Sequence, residues 1–212
     1  MAFFSNNFEF LVKPIDRTNT VLIGEHQKGA DLQGGIGTLK NVSLEGDIAE
    51  IRRAAANLED GAVTEGYAAD REAVIAMLNA ALATELLCVL RYKRHYYTVS
   101  GPNTGHIKAE FLEHAQQEQD HADRIAERIV QLNGSPNFNP ATLTQRSHAE
   151  YDDSEDVQAM IRADLIAERV AIESYRQMIQ AIGDKDPTTK NMLIEILATE
   201  EEHADDMRDL LA

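Results

Sequence analysis

Glu118-Gln119-Asp120-His121 returns later in the chain as Glu200-Glu201-Glu202-His203. A lone glutamate precedes each copy: Glu85 lies 33 residues before Glu118, and Glu168 lies 32 residues before Glu200. The repeat reads as one helix carrying a carboxylate, a turn, and a second helix carrying a carboxylate and an imidazole, used twice. Glu and His three apart on a helix project from the same face. Two such hairpins facing each other bring Glu85, Glu118, His121, Glu168, Glu200 and His203 to one point inside a four-helix bundle. Four carboxylates and two imidazoles are the donor set of a dinuclear metal centre.

Working outward, the hydrophobic period predicts four long helices. The first runs from about Asp70 to Thr98, with Val74, Leu78, Leu82, Glu85, Val89 and Tyr92 on one stripe, and Gly101-Pro102-Asn103 breaks it. The second spans about Thr104 to Asn133, with Ile107, Phe111, Glu118, Ile125, Ile129 and Leu132 inward and Gly134 past its end. The third starts near Ser154 and ends at Ile182 before Gly183; Val157, Ile161, Glu168, Ile172, Tyr175 and Ile179 line it. Asp186-Pro187 opens the fourth, a cap followed by proline at the first helical position. Its buried face carries Leu193, Ile196, Glu200, Met207 and Leu210. Short breaks within each pair predict antiparallel hairpins. The stretch from Gly134 to Asp153, with Pro136 and Pro140, is long for a loop in a compact domain, and a crossover running the length of the bundle explains it.

The first 42 residues differ in texture. They are rich in Gly, Asn and Thr, with a short β-like run Val21-Leu22-Ile23 and a Gly34-Gly35-Ile36-Gly37 cluster. They read as an irregular arm without a core of its own. No Gly-Lys-Ser/Thr follows the glycines, so they predict loop flexibility rather than a phosphate site. Residues 44–60 read as a short helix with Ile48, Ile51, Ala55 and Leu58 on one face and Gly61 past its end. The expected organisation is all-α: an N-terminal extension over 1–65 and an antiparallel four-helix bundle over 66–212.

Composition narrows the function classes. With 43% hydrophobic and 26% charged residues, the chain has the make-up of a soluble globular protein. A single cysteine, Cys88, excludes a disulfide framework and a thiolate-rich metal site. The formal net charge of −16 suits cations and opposes a phosphate backbone. No membrane span and no signal peptide are read, and a cytoplasmic protein is expected.

The chemistry follows from burial. Glu85 sits between Leu82 and Val89, and Glu168 between Leu165 and Ile172. An unpaired carboxylate in such a place costs several kcal/mol or takes up a proton, and four converging ones repel one another. A pair of divalent cations resolves both problems, and mixed carboxylate and imidazole donors suit iron or manganese. Tyr92 and Tyr175 each lie seven residues after a lone glutamate, on the same face. Either hydroxyl can bond a ligand carboxylate; Tyr175 reads as core. Asp164, one turn before Glu168, is a candidate to orient a histidine. His114, one turn before Glu118, is a candidate auxiliary iron ligand. Cys88 reads as a small core residue. His95, His106 and His148 read as exposed, and Arg91-Tyr92-Lys93-Arg94 as mostly the solvent side of its helix.

From about Asp70 to Leu211 the chain resembles the ferritin-like superfamily, and bacterioferritin most closely. The segments that carry the resemblance are Ala83-Thr84-Glu85 through Tyr92, Glu118-Gln119-Asp120-His121-Ala122-Asp123-Arg124, Gly134-Ser135-Pro136-Asn137, Asp164-Leu165-Ile166-Ala167-Glu168, and Ile194 through His203. The resemblance implies that Glu118 and Glu200 bridge two metals, with Glu85 and His121 completing one and Glu168 and His203 the other. It implies two iron ions per chain, with manganese as the other candidate, about 3.5–4 Å apart. It further implies Fe(II) oxidation by O2 or H2O2, and storage of Fe(III) inside a homo-oligomeric shell. Bacterioferritin's haem-ligand methionine directly follows the Glu of the first Glu-x-x-His. Gln119 stands there, so haem is not expected at that position. The chain stops after the fourth helix, so the short fifth helix of 24-subunit cages is not expected.

Two other readings share the bundle. A manganese catalase or rubrerythrin-like peroxidase uses a related ligand arrangement, although no Cys-x-x-Cys is present for a rubredoxin iron. A DNA-protecting starvation protein builds its iron site between subunits, whereas one chain supplies all six ligands here. Lys13, Arg17, Lys28 and Lys40 are offset by Glu9, Asp16, Glu25 and Asp31, so no nucleic-acid partner is expected.

Overall fold

The computed structural model describes residues 48–59 and 61–212. The expectations for residues 1–42, the arm, the β-like run and the glycine cluster, lie outside the described residues. Among the described residues the ordered elements are all helical. Helix α1 spans Ile48–Ala54, α2 Arg71–Thr98, α3 Gly105–Gln131, α4 Leu143–Arg146, α5 Val157–Ile182 and α6 Pro187–Asp209. A 3₁₀ turn, Pro140–Thr142, leads into α4. The long helices α2, α3, α5 and α6 form the bundle.

Each helix end has a local cause. Asp70, Asp156 and Asp186 accept from the amides of Ala73, Ala159 and Thr189, capping α2, α5 and α6. At the end of α3, the amide of Asn133 bonds to Val130 and that of Gly134 to Ile129, a Schellman closure. The left-handed residue is Asn133, at φ 60°, not the glycine. Gly134 is required for another reason: a Cβ there would meet Ile75 Cγ2 and Ile129 Cγ2 at 2.9 Å.

Two apolar clusters establish the helix directions. One joins Leu78 and Leu82 of α2, Ile125 and Ile129 of α3, Tyr175 and Ile182 of α5, and Leu193 and Ile196 of α6. The other joins Tyr92 of α2, Ile107 and Phe111 of α3, Met160 and Ile161 of α5, and Met207 of α6. The early half of α2 thus meets the late halves of α3 and α5 and the early half of α6. Both hairpins are antiparallel, as their short connections predict. On every helix the stretch between the clusters carries the predicted carboxylates and imidazoles.

The crossover is stitched along α2 in register. The amide of Asn137 donates to Asn79 Oδ1 at 2.7 Å, and His148 N to Thr84 Oγ1 at 3.0 Å. Arg91 Nη1 then donates to the Glu150 carbonyl and Arg94 Nη2 to the Asp153 carbonyl. Asn79 and Arg94 are fifteen positions apart on the helix, about 22 Å at 1.5 Å per residue. That distance is why the loop is long.

Three expectations need correction. Helix α1 ends at Ala54, short of the expected end near 60, and among the described residues buries nothing; Ile51 and Leu58 are 51% and 83% exposed. Among the described residues its apolar face covers no core. Arg91 and His95 are not on the solvent side of α2 but fully buried. Finally, α2 does contain an 18-residue window long and apolar enough, by composition, to cross a membrane. It is apolar nearly all round because α3, α5 and α4 with the crossover pack against it, and it carries Glu85 and Arg91 in the interior.

Candidate metal centre

Glu85 on α2, Glu118 and His121 on α3, Glu168 on α5, and Glu200 and His203 on α6 meet in the polar layer between the two clusters. All six are buried. They fall into two overlapping groups of four, in which one ligand atom from each residue lies within 4.8 Å of the others. The first is Glu85, Glu118, His121 and Glu200; the second is Glu118, Glu168, Glu200 and His203. Glu118 and Glu200 belong to both.

His121 Nδ1 lies 2.9 Å from Glu200 Oε1, 3.4 Å from Glu85 Oε2 and 3.5 Å from Glu118 Oε2. His203 Nδ1 lies 3.5 Å from Glu118 Oε1, 3.6 Å from Glu200 Oε2 and 3.8 Å from Glu168 Oε2. Donors held about 2.0–2.2 Å from a common cation at tetrahedral or octahedral angles are about 3–3.5 Å apart. Among the described residues, nine buried side-chain polar atoms lack a hydrogen-bond partner, and eight belong to these six residues. Natural interiors tolerate few such atoms. Eight at one point, all facing inward, fit a cation pair.

The outward atoms are tied down. His203 Nε2 lies 2.6 Å from Gln117 Oε1. An amide oxygen only accepts, so Nε2 carries a proton and Nδ1 is the nitrogen that faces the carboxylates, its lone pair free when the ring is neutral. Tyr92 donates to Glu168 Oε1 at 2.5 Å, and Tyr175 donates to Glu85 Oε1. Each tyrosine thus turns the free oxygen of its glutamate inward.

Crowding shows in the acidities. Burial, then the Glu118 charge, pushes Glu85 up to about 8. Burial and the Glu85 charge push Glu200 up to about 7. For Glu168 burial acts upward, but the His203 imidazole prevails and holds it down to about 2. Burial opposes the charging of His121, yet the carboxylates of Glu118, Glu200 and Glu85 push it up to about 12. His203 is raised in the same way. Protons here offset the carboxylate charge, and a cation placed among these donors would compete with them.

The family model for the ferritin-like domain matches residues 75–212. The chain belongs to the ferritin-like family. It is 32% identical over 144 residues to a bacterioferritin of Brucella melitensis, covering 66% of this chain and 84% of that one. It is 29% identical over 140 residues to a nutrient stress-induced DNA-binding protein of Synechococcus, covering 64% and 78%. Among solved structures, a dodecameric thioferritin, the bacterioferritin-related protein of Bacteroides fragilis, superposes with a TM-score of 0.66 at 34% identity, covering 68% of this chain and 87% of that one.

Around the centre of this ferritin-like chain several residues stand elsewhere than expected. Tyr175 is buried as core, but its hydroxyl also holds Glu85. Asp164 orients no histidine of the centre. It accepts from Arg91 Nε at 2.7 Å and lies 2.9 Å from His95 Nδ1, while His95 Nε2 reaches Asp152 at 3.2 Å. This buried network fastens α2 to α5 and to the crossover. Cys88 packs with Leu87, Ala149 and Ala167, and burial raises its thiol well above the usual range. His114 is buried and stacks on His203, with ring centroids 4.0 Å apart. Gln117 escapes the sequence reading altogether. Its one available signal is its place one residue before Glu118, which does not specify which way its amide turns.

Proposed function

We propose that this chain is a di-iron ferroxidase that oxidises Fe(II) to Fe(III) with O2 or peroxide, for iron storage or detoxification. The observation that carries the reading is the set of eight buried donor atoms at one point that face one another without a well-formed hydrogen bond. Glu118 and Glu200, which belong to both groups, would serve both irons, Glu85 and His121 would hold one, and Glu168 and His203 the other. The same six are the catalytic residues. Four carboxylate charges match two divalent cations, and oxygen and imidazole donors suit iron or manganese over thiolate-preferring metals.

Each Fe(II) gives up one electron. A pair reduces O2 with two protons to H2O2, or H2O2 with two protons to two waters, and Fe(III) leaves as cargo. The protein supplies binding and orientation. Gln117 keeps the His203 Nδ1 lone pair available, Tyr92 and Tyr175 aim Glu168 and Glu85, and the flanking apolar clusters keep bulk water from the donors, which strengthens charge interactions.

The relative named bacterioferritin supports storage of iron in a homo-oligomer, as does the bacterioferritin-related dodecamer. Exposed Leu90, Tyr97, Phe138 and Ile166 offer apolar surface to further copies. The relative named as DNA-binding favours a second reading, a DNA-protecting shell. The net charge of −16 opposes it, because affinity for a phosphate backbone comes mainly from Lys and Arg. We assign residues 66–212 to the ferroxidase bundle and 1–65 to an extension, in a cytoplasmic protein.

Metal analysis of protein purified without added iron, followed by aerobic Fe(II) oxidation read from ferric absorbance, tests the assignment. Wild-type protein is expected to oxidise Fe(II) well above the uncatalysed rate. Glu118→Ala is expected to lose at least the roughly 10–100-fold that disturbing a supporting ligand costs. A native rate in that variant overturns the site. Bound manganese with rapid peroxide disproportionation and no Fe(II) oxidation overturns the function.

A further inference from the structure

We propose that Glu110, His114 and Asp206 form a third cation site, separate from the six ligands above and opening to solvent. Glu110 and His114 lie one turn apart on α3, and Asp206 lies three residues after His203 on α6. One ligand atom from each lies within 4.8 Å of the other two. The carboxylates stand at the surface, with side chains 37% and 46% exposed, and the imidazole lies behind them at 2%.

Hydrogen-bond accounting gives the imidazole its role. Tyr92 has one hydroxyl proton and donates it to Glu168. The contact between His114 Nδ1 and Tyr92 Oη, at 3.2 Å, therefore has His114 as donor. That leaves Nε2 as the outward atom. It lies 3.5 Å from Asp206 Oδ2 and 3.9 Å from Glu110 Oε2, too long for a good hydrogen bond to either. A lone pair and two carboxylate oxygens facing one another repel unless a positive charge stands between them. The spacing leaves room for a divalent cation with water in its remaining positions. One imidazole and two carboxylates suit a first-row transition ion such as Fe(II), Mn(II) or Co(II) better than a thiolate-preferring one.

The position gives the site a use. His114 stacks on His203, so the third cation sits one imidazole away from a ligand of the buried centre. Solvent-exposed acids capture the ion and the buried ring holds it beside His203. Capture stands on the trio alone; delivery of Fe(II) inward rests on the ferroxidase reading.

Crystals of the full chain grown with Co(II), examined by anomalous scattering, and calorimetric titration with Co(II) test the site. Wild-type protein is expected to show a peak at coordination distance from His114 Nε2, in addition to the buried pair. The double variant Glu110→Gln with Asp206→Asn alters only half-exposed groups. It is expected to lose that peak and one ion from the titration while keeping the buried pair. Its Fe(II) oxidation is expected to slow by roughly tenfold, the low end of what local charge does to a cation's arrival. Buried ions with no peak at His114 in the wild type mean that His114 merely pairs with the two acids, and the proposal falls. A peak at His114 over an empty buried centre upholds it while removing the ferroxidase reading. Loss of the peak with an unchanged oxidation rate overturns delivery.

Discussion

The imidazole of His203 has two nitrogens and only one can face the carboxylates with its lone pair. Gln117 decides which. Its amide oxygen accepts a hydrogen bond from Nε2–H at 2.6 Å, so Nδ1 is the nitrogen left to face a cation. Gln117→Leu keeps the volume and removes the acceptor. Supporting partners of this kind are typically worth roughly 10–100-fold in metal affinity. The variant is therefore expected to fold normally by circular dichroism, to bind Co(II) more weakly by that factor in calorimetry, and to be partly rescued by Gln117→Asn. Affinity equal to the wild type would mean that the geometry of His203 needs no such support. Tyr92 and Tyr175 act on the same principle, each engaging one carboxylate oxygen and leaving the other to point inward.

The start of α6 shows how a single capping residue fastens separate elements. Asp186 accepts from the Thr189 amide and hydroxyl at 2.9 and 2.6 Å, from Arg128 of α3 at 2.9 Å, and from the Tyr67 hydroxyl at 2.8 Å. Burial acts to raise its pKa, but these donors prevail and hold it below the usual carboxylate range. A carboxyl depressed in the folded state contributes stability above its unfolded value, about 3.9. That contribution disappears as pH falls through the folded value. Asp186→Asn is expected to destabilise by about 1.5–3 kcal/mol at neutral pH, the worth of a hydrogen bond to a charged group. Denaturant melts should show the gap to wild type steady from about pH 8 to pH 5 and closing below about pH 4. A gap that widens in acid would contradict the account. Arg91, Asp164 and His95 tie α2 to α5 by the same means, at full burial.

Across the bundle as a whole, binding and folding oppose one another when no cation is present. The four carboxylates lie in a layer between two apolar clusters, and charge in such a layer favours unfolding unless it is compensated. Glu118→Gln keeps the shape and removes one charge. In chelator the variant is expected to melt at or above the wild-type temperature. With excess Mn(II) the wild type is expected to gain stability, about 2.7 kcal/mol at a hundredfold excess over the dissociation constant, and the variant much less. Thermal melts with and without Mn(II) check both halves, and an equal metal response in the two proteins would remove Glu118 from the centre.

The bundle was legible because its signals are local and periodic. Inward stripes such as Val74, Leu78 and Leu82, the aspartate caps, and the doubled Glu-x-x-His with its preceding glutamate each follow from the helical repeat. Burial of all six candidate ligands follows as well, since they occupy stripe positions between apolar neighbours. What the amino acids did not announce depends on direction across the bundle. Arg91 and His95 look like surface residues beside Lys93 and Arg94, yet Asp164 and the crossover receive them in the interior. The pattern in α1 looks amphipathic, yet among the described residues its apolar side covers no core. The turn of Gln117 toward His203, and the meeting of Glu110 and His114 with Asp206 of a distant helix, arise only once α3 lies against α6. Helical period assigns a side chain to a face, whereas its partner there is chosen by the packing of helices far apart in the chain.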